Sequence, residues 1–164
     1  MKNNISKYFS KIIFFILTIF CIILLSISPI KVGLISGQSM YPTFKNNTIY
    51  LGTSKIQSIN RDDIIVAYSD KLKECVIKRV IGLPGEKLTI KNNKIYINDL
   101  YIEDEDGNNL IKDNSINYPI ILGKDEYFVL GDNRNNSIDS RSIGAIKKDN
   151  IKAKIIYGVK KDDY

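Results

Sequence analysis

Histidine is absent from the 164 residues, which closes much of the chemistry open to a small enzyme. A Ser-His-Asp triad, a Cys-His dyad and a zinc site with imidazole ligands are all excluded for this chain acting alone. Cysteine is scarce. Cys21 falls in a long apolar run and Cys75 in the polar remainder, so no structural disulfide is expected, and Cys75 reads as a small apolar strand residue. The acidic run at 103–106 lacks the alternating ligands and distal glutamate of a calcium loop, and reads as a solvated loop. No metal site or cofactor is expected. Net charge is +6, and the first 30 residues supply three lysines and no acids, leaving +3 for the rest. With no basic stripe interleaved with aromatics, that modest excess suits an anionic membrane surface, and no nucleic-acid partner is expected.

Long apolar runs are limited to one. Lys2, Lys7 and Lys11 precede nineteen uncharged residues, Ile12 to Ile30. As a helix these span about 28 Å, close to a hydrocarbon core of roughly 30 Å. The pattern predicts a cytoplasmic leader over 1–11, a transmembrane anchor over 12–30 and one extracytoplasmic domain over 31–164, in the cytoplasmic membrane with the N-terminus inside. A cleavable secretory signal is the rival, with small residues at Ser26-Ile27-Ser28. The run exceeds the usual h-region and Pro29 would follow the cut, which favours the anchor.

Beyond residue 47 the pattern is that of strands. Short β-branched runs at 48–51, 64–68, 74–81, 127–130 and 151–157 are bounded by Asn, Gly and Asp. Runs at 88–91 and 94–97 flank Asn92-Asn93, which tolerate left-handed backbone, so a β-hairpin is predicted. Residues 99–119 are polar and acidic and read as a surface excursion.

The chemistry gathers at residues 36–43, Ser-Gly-Gln-Ser-Met-Tyr-Pro-Thr. Ser39 reads as a nucleophile on a tight turn, at most about 28 Å beyond Lys31 and so close to the membrane surface. A hydroxyl needs a base within hydrogen-bond reach. Without histidine the usual bases are an N-terminal amine, here across the apolar segment, or a lysine. Lys78 lies on a run where alternation puts Val76, Lys78 and Val80 on one face and Ile77, Arg79 and Ile81 on the other. An amine desolvated by valines loses pKa from about 10.4 towards a range where it accepts a proton.

Together with the stretch 131–141, Gly-Asp-Asn-Arg-Asn-Asn-Ser-Ile-Asp-Ser-Arg, these motifs resemble those of the type I signal peptidases, bacterial membrane-bound serine proteases. Residues 36–43, the run Lys-Arg-Val-Ile-Gly-Leu-Pro-Gly at 78–85 and the 131–141 stretch occur in the family's order, behind an anchor. The resemblance implies a mostly β fold: an antiparallel catalytic core with a small inserted β region at about 86–120. It implies Ser39 as nucleophile and Lys78 as general base, with Ser137 orienting the lysine and Asp139 and Arg141 forming a supporting ion pair. The oxyanion hole would use the Ser39 backbone N–H. In some members a hydroxyl two residues earlier assists; Gly37 stands there, so a second donor would be another backbone group or water. Asn135 replaces an aspartate found in many members. Gly37, Gln38 and Met40 are placed at the substrate, which would lie as an extended strand beside Ser39 and Lys78. The implied partners are signal peptides of exported preproteins cut after Ala-x-Ala, the lipid bilayer and a nearby secretion translocon. Two other readings are a self-cleaving Ser-Lys peptidase, which would carry a DNA-binding domain before the serine, and an anchored β-domain that binds without cutting.

Overall fold

The computed structural model describes residues 2–102 and 117–159. The first helix, α1 (Lys2–Ile27), is 26 residues long. Every large apolar side chain described on it, between Tyr8 and Ile23, is 42 to 69 % exposed. Among the described residues no helix is long and apolar enough to cross a membrane. The apolar run ends its helix at Ile27 and not at Ile30. Pro29 offers no N–H and turns Ser28 away from helical backbone; Ser28 Oγ accepts the Ile30 N–H at 3.2 Å, and a strand begins there.

In chain order the strands are β1 (Ile30–Ile35), β2 (Thr48–Thr53), β3 (Ile64–Ser69), β4 (Glu74–Gly82), β5 (Lys87–Lys91), β6 (Lys94–Ile97), β7 (Leu100–Ile102), β8 (Ile120–Ile121), β9 (Glu126–Leu130), β10 (Ile146–Lys147) and β11 (Ile151–Val159). A single-turn helix, α2 (Ser140–Ile143), stands between β9 and β10. Two sheets result, ordered β1-β2-β11-β3-β4-β9-β10 and β7-β6-β5-β8. All pairings are antiparallel. The acidic run expected as a surface loop falls in residues 103–116, outside the described residues.

The hairpin between β5 and β6 turns on Asn92 and Asn93, both with positive φ of 53° and 58°, as a two-residue primed turn requires. Its register pairs Leu88 with Ile97 and Ile90 with Ile95, and these four pack with Ile81, Leu122, Phe128 and Leu130 into one core cluster. Val80, Tyr127 and Val129 pack into another, with Ile65, Ala67 and Ile146. Neighbouring residues of β4 and β9 therefore bury opposite faces, each side chain contributing about 1.5–3 kcal/mol of transfer free energy. Two buried faces explain why both cations of β4, Lys78 and Arg79, leave solvent, although alternation puts only one of them among valines.

β4 pairs with β3 from Glu74 to Arg79, but with β9 only from Arg79 to Gly82. Among the described residues, the half of β4 that carries Lys78 has no strand on its second edge.

Candidate active site

Ser39 sits on the turn that follows β1. Gly37 has φ +91° and no heavy atom within 4 Å of where a Cβ would stand, so glycine serves the backbone here and not the space. Asn46 Oδ1 accepts the Gly37 N–H at 2.8 Å, and the Ile35 carbonyl accepts the Asn47 N–H at 2.8 Å. Met40 is 1 % exposed and packs with Ile35 and Phe44. Expected at the substrate, it instead plugs the turn into the core and does not line the cleft, because the residue after Ser39 points inward.

The loop that begins at Gly131 holds the turn from the other side. The Asn133 N–H donates to the Ser39 carbonyl at 2.9 Å, and Asn133 Nδ2 donates to the Gln38 carbonyl at 3.1 Å. A Cβ on Gly131 would lie 2.5 Å from the Ser39 carbonyl oxygen and would collide with Ser137 Oγ. Glycine is required there for close backbone approach.

Lys78 reaches this turn from β4. Its Nζ donates to Ser39 Oγ at 2.7 Å, and the side chain is 5 % exposed. Burial pushes the amine down from 10.5 to about 8, against the opposing pull of Asp139, Asp132 and Glu74. Because desolvation outweighs three carboxylates, a minor neutral fraction, about a tenth, is present at pH 7 and grows as pH rises through 8. Around the pair opens a cleft of ≈ 450 Å³ whose lining includes Gly37, Gln38, Leu34, Tyr50, Ile77 and Ile138. Cys75, expected as an apolar strand residue, is an exposed free thiol on the same lining.

A network of buried charge supports the loop. Arg79 meets Asp132 through two bonds, Nε to Oδ1 and Nη2 to Oδ2, both 2.8 Å, and Thr43 Oγ1 donates to Asp132 at 2.5 Å. Asp139 and Arg141 form a second bidentate pair at 2.8 and 2.7 Å. Asp139 also accepts the Gly131 N–H at 3.0 Å. Arg141 Nη2 donates to the Arg134 carbonyl at 2.7 Å, and Arg134 Nε to the Gly131 carbonyl at 3.0 Å. Burial, then the nearby Arg141, lowers the Arg134 guanidinium to about 10.

Of the residues singled out in the sequence, Ser39, Lys78, Gly37 and Gln38 meet at the cleft, and Asp139 and Arg141 pair beneath the loop. Ser137 is placed otherwise. Its Oγ is buried against Gly131 and hydrogen-bonds to nothing among the described residues, so the expected bond to Lys78 is not formed. Sequence reasoning passed over Asn46, Thr43, Arg79, Asp132 and Asn133. The signal available for three of them was adjacency: Arg79 follows Lys78, and Asp132 and Asn133 open the 131–141 stretch. Among the described residues, no cluster of three or more His, Cys, Asp or Glu could hold a metal ion.

An antiparallel β domain with a serine hydroxyl under a buried lysine amine, at the wall of an open cleft, is the arrangement of a serine hydrolase that works without histidine. Comparison with known proteins gives the family. The model of the signal peptidase family, peptidase S26, matches residues 5–158, and the chain belongs to that family. It is 36 % identical over 132 residues to signal peptidase I U of Bacillus subtilis, covering 74 % of this chain and 71 % of that one. It is 30 % identical over 162 residues to signal peptidase I P of Bacillus subtilis subsp. natto, covering 92 % and 86 %. A crystal structure of a signal peptidase I from Enterococcus faecalis superposes with a TM-score of 0.52 at 29 % identity, covering 62 % of this chain and all of that one.

Proposed function

We propose that the protein is a membrane-anchored endopeptidase that removes signal peptides from exported preproteins, with Ser39 as nucleophile and Lys78 as general base. The observation that carries this reading is the 2.7 Å contact between Lys78 Nζ and Ser39 Oγ, made by an amine that burial brings to about 8. Neutral Lys78 takes the Ser39 proton as Oγ attacks the scissile carbonyl. The oxyanion is met by the Ser39 N–H, and the new ammonium protonates the leaving amine. Water then enters, Lys78 takes its proton, hydroxide attacks the acyl-enzyme, and Lys78 returns the proton to Ser39 Oγ as the acyl bond breaks and the signal peptide leaves. Asp139 and Arg141 hold the loop that backs the turn.

The substrate enters as an extended strand along the open edge of β4, in the cleft that Leu34 and Gln38 also line, with small pockets selecting Ala-x-Ala before the cut. An anchor within the apolar run, ending with the helix at Ile27, is supported by α1, whose described apolar side chains find no protein cover. The sheet carries an exposed apolar face of its own: Val32, Leu51 and Tyr157 lie in one row across β1, β2 and β11, beside Leu34 and Ile49, and all five are exposed. This face begins where α1 ends, so it suits lipid on the extracytoplasmic side, within reach of chains leaving a translocon. The test is cleavage of a preprotein bearing an Ala-x-Ala signal, in detergent, by the full chain and by Lys78→Ala. Cutting after the second alanine by the former alone supports the reading; binding without cutting by both overturns it.

A further inference from the structure

The oxyanion donor of the proposed mechanism, the Ser39 N–H, belongs to the same peptide unit as the Gln38 carbonyl. In a trans peptide these two groups point in opposite directions, so whatever holds the carbonyl aims the N–H. The Gln38 carbonyl accepts the Tyr41 N–H at 3.1 Å, within the turn, and Asn133 Nδ2 at 3.1 Å, from the loop that begins at Gly131. We propose that Asn133 is a positioning residue for the oxyanion hole: its side-chain amide fixes the 38–39 peptide so that the Ser39 N–H faces the developing negative charge. The inference rests on the peptidase reading above.

Three features give this contact weight. Gly37 supplies no hydroxyl, and its N–H is already taken by Asn46, so the Ser39 N–H works without help from that position. The 38–39 peptide rotates about the backbone bonds of Gln38 and Ser39, and the Asn133 amide adds a second anchor on its carbonyl beside the Tyr41 N–H. A donor on the carbonyl also polarises the N–H of the same unit, strengthening what it offers to an oxyanion. Asn133 lies between the fully buried Asp132 and Arg134. Its own N–H binds the Ser39 carbonyl and survives any side-chain substitution except proline, so removing the amide tests orientation with the backbone clamp intact.

The experiment compares full-length wild-type, Asn133→Ala and Asn133→Asp proteins in detergent on the same preprotein, with rates expressed per folded molecule. Losing the aim of one oxyanion donor should cost part of the 10²–10³-fold that deleting it costs, so kcat should fall roughly 10- to 100-fold while KM stays within about twofold. Asn133→Asp, which turns an acceptor on the carbonyl, should fall further than Asn133→Ala. A peptide boronic acid that forms a tetrahedral adduct on Ser39 should weaken in step with kcat/KM, and in Asn133→Ala, which adds no charge, the pH midpoint should not move. An unchanged kcat, a rise in KM alone, a pH midpoint shifted in Asn133→Ala, or a boronate affinity that ignores the substitution overturns the proposal. Failure of the wild-type chain to cut the preprotein would instead sink the peptidase reading, a separable result.

Discussion

Gly131 and Ser39 meet backbone to backbone: a Cβ built on the glycine would lie 2.5 Å from the serine carbonyl oxygen. Ser137 Oγ could rotate out of that crevice, but the Ser39 carbonyl and the Ser137 Cβ, at 2.6 Å, could not. Gly131→Ala should therefore shift the Ser39 turn and lower kcat/KM by roughly 100-fold, with about 1–3 kcal/mol lost from stability. Gly37→Ala meets open space and should cost only the left-handed backbone, about 1–2 kcal/mol. Urea unfolding beside steady-state kinetics separates the two.

The pH profile follows from Lys78. The base works neutral, and burial sets its folded pKa at about 8. The logarithm of kcat/KM should rise with unit slope below that value and level off above it. An activity that stays flat from pH 6 to pH 9 while the fold is intact, as circular dichroism would report, removes Lys78 from the role of base.

The same burial taxes stability. Below pH 8 the lysine is charged in both states, and the folded protein bears the cost of holding that charge away from water. Between about 8 and 10.5 the unfolded chain binds a proton that the folded one does not, so stability from this group rises with pH, and is lost as pH falls through 8. Lys78→Met should abolish cleavage, a loss of at least roughly 10²–10⁴-fold, yet raise stability at pH 7 by on the order of 3 kcal/mol. Denaturant midpoints for both proteins at pH 7 and pH 10 measure this; equal midpoint differences at both would refute it.

Asp139 faces Arg141, the Gly131 N–H and, through space, Lys78. Asp139→Ala leaves a buried guanidinium facing no carboxylate at that position and should cost roughly 3–5 kcal/mol. Asp139→Asn keeps the shape and removes the charge that raises the Lys78 pKa, so the acid limb of the pH profile should move to lower pH. An acid limb that stays in place or moves upward would show that this carboxylate does not act on the base.

Much of this was legible from residue patterns, and the exceptions share a cause. Strand runs and the Asn92-Asn93 turn are local, so spacing and turn chemistry suffice. The absence of histidine narrows the base to a lysine, and the pairing of Ser39 with Lys78 in particular is what the resemblance of the three motifs to the signal peptidases implies. Arg79 was not legible as buried, because its partner Asp132 arrives from a loop 53 residues away and only the fold brings the two together. Met40 and Ser137 were misplaced for the same reason, since which way a loop side chain turns is settled by Phe44 in one case and by the bare Cα of Gly131 in the other. The helix end was within reach, as Pro29 sits beside it.

The half-paired strand β4 carries a consequence for timing. A strand edge can be completed only by a chain whose own N–H and C=O groups are unspent, and a helical signal sequence has already committed them to itself. Such a site tests conformation ahead of composition: a preprotein whose small residues are correct but still coiled presents no bonding partner to Glu74 through Lys78. Under the proposed reading, cleavage waits on the unwinding of a few residues at the membrane surface. The mature protein is then released by a change in its own backbone, which the enzyme reads as the completion of its sheet.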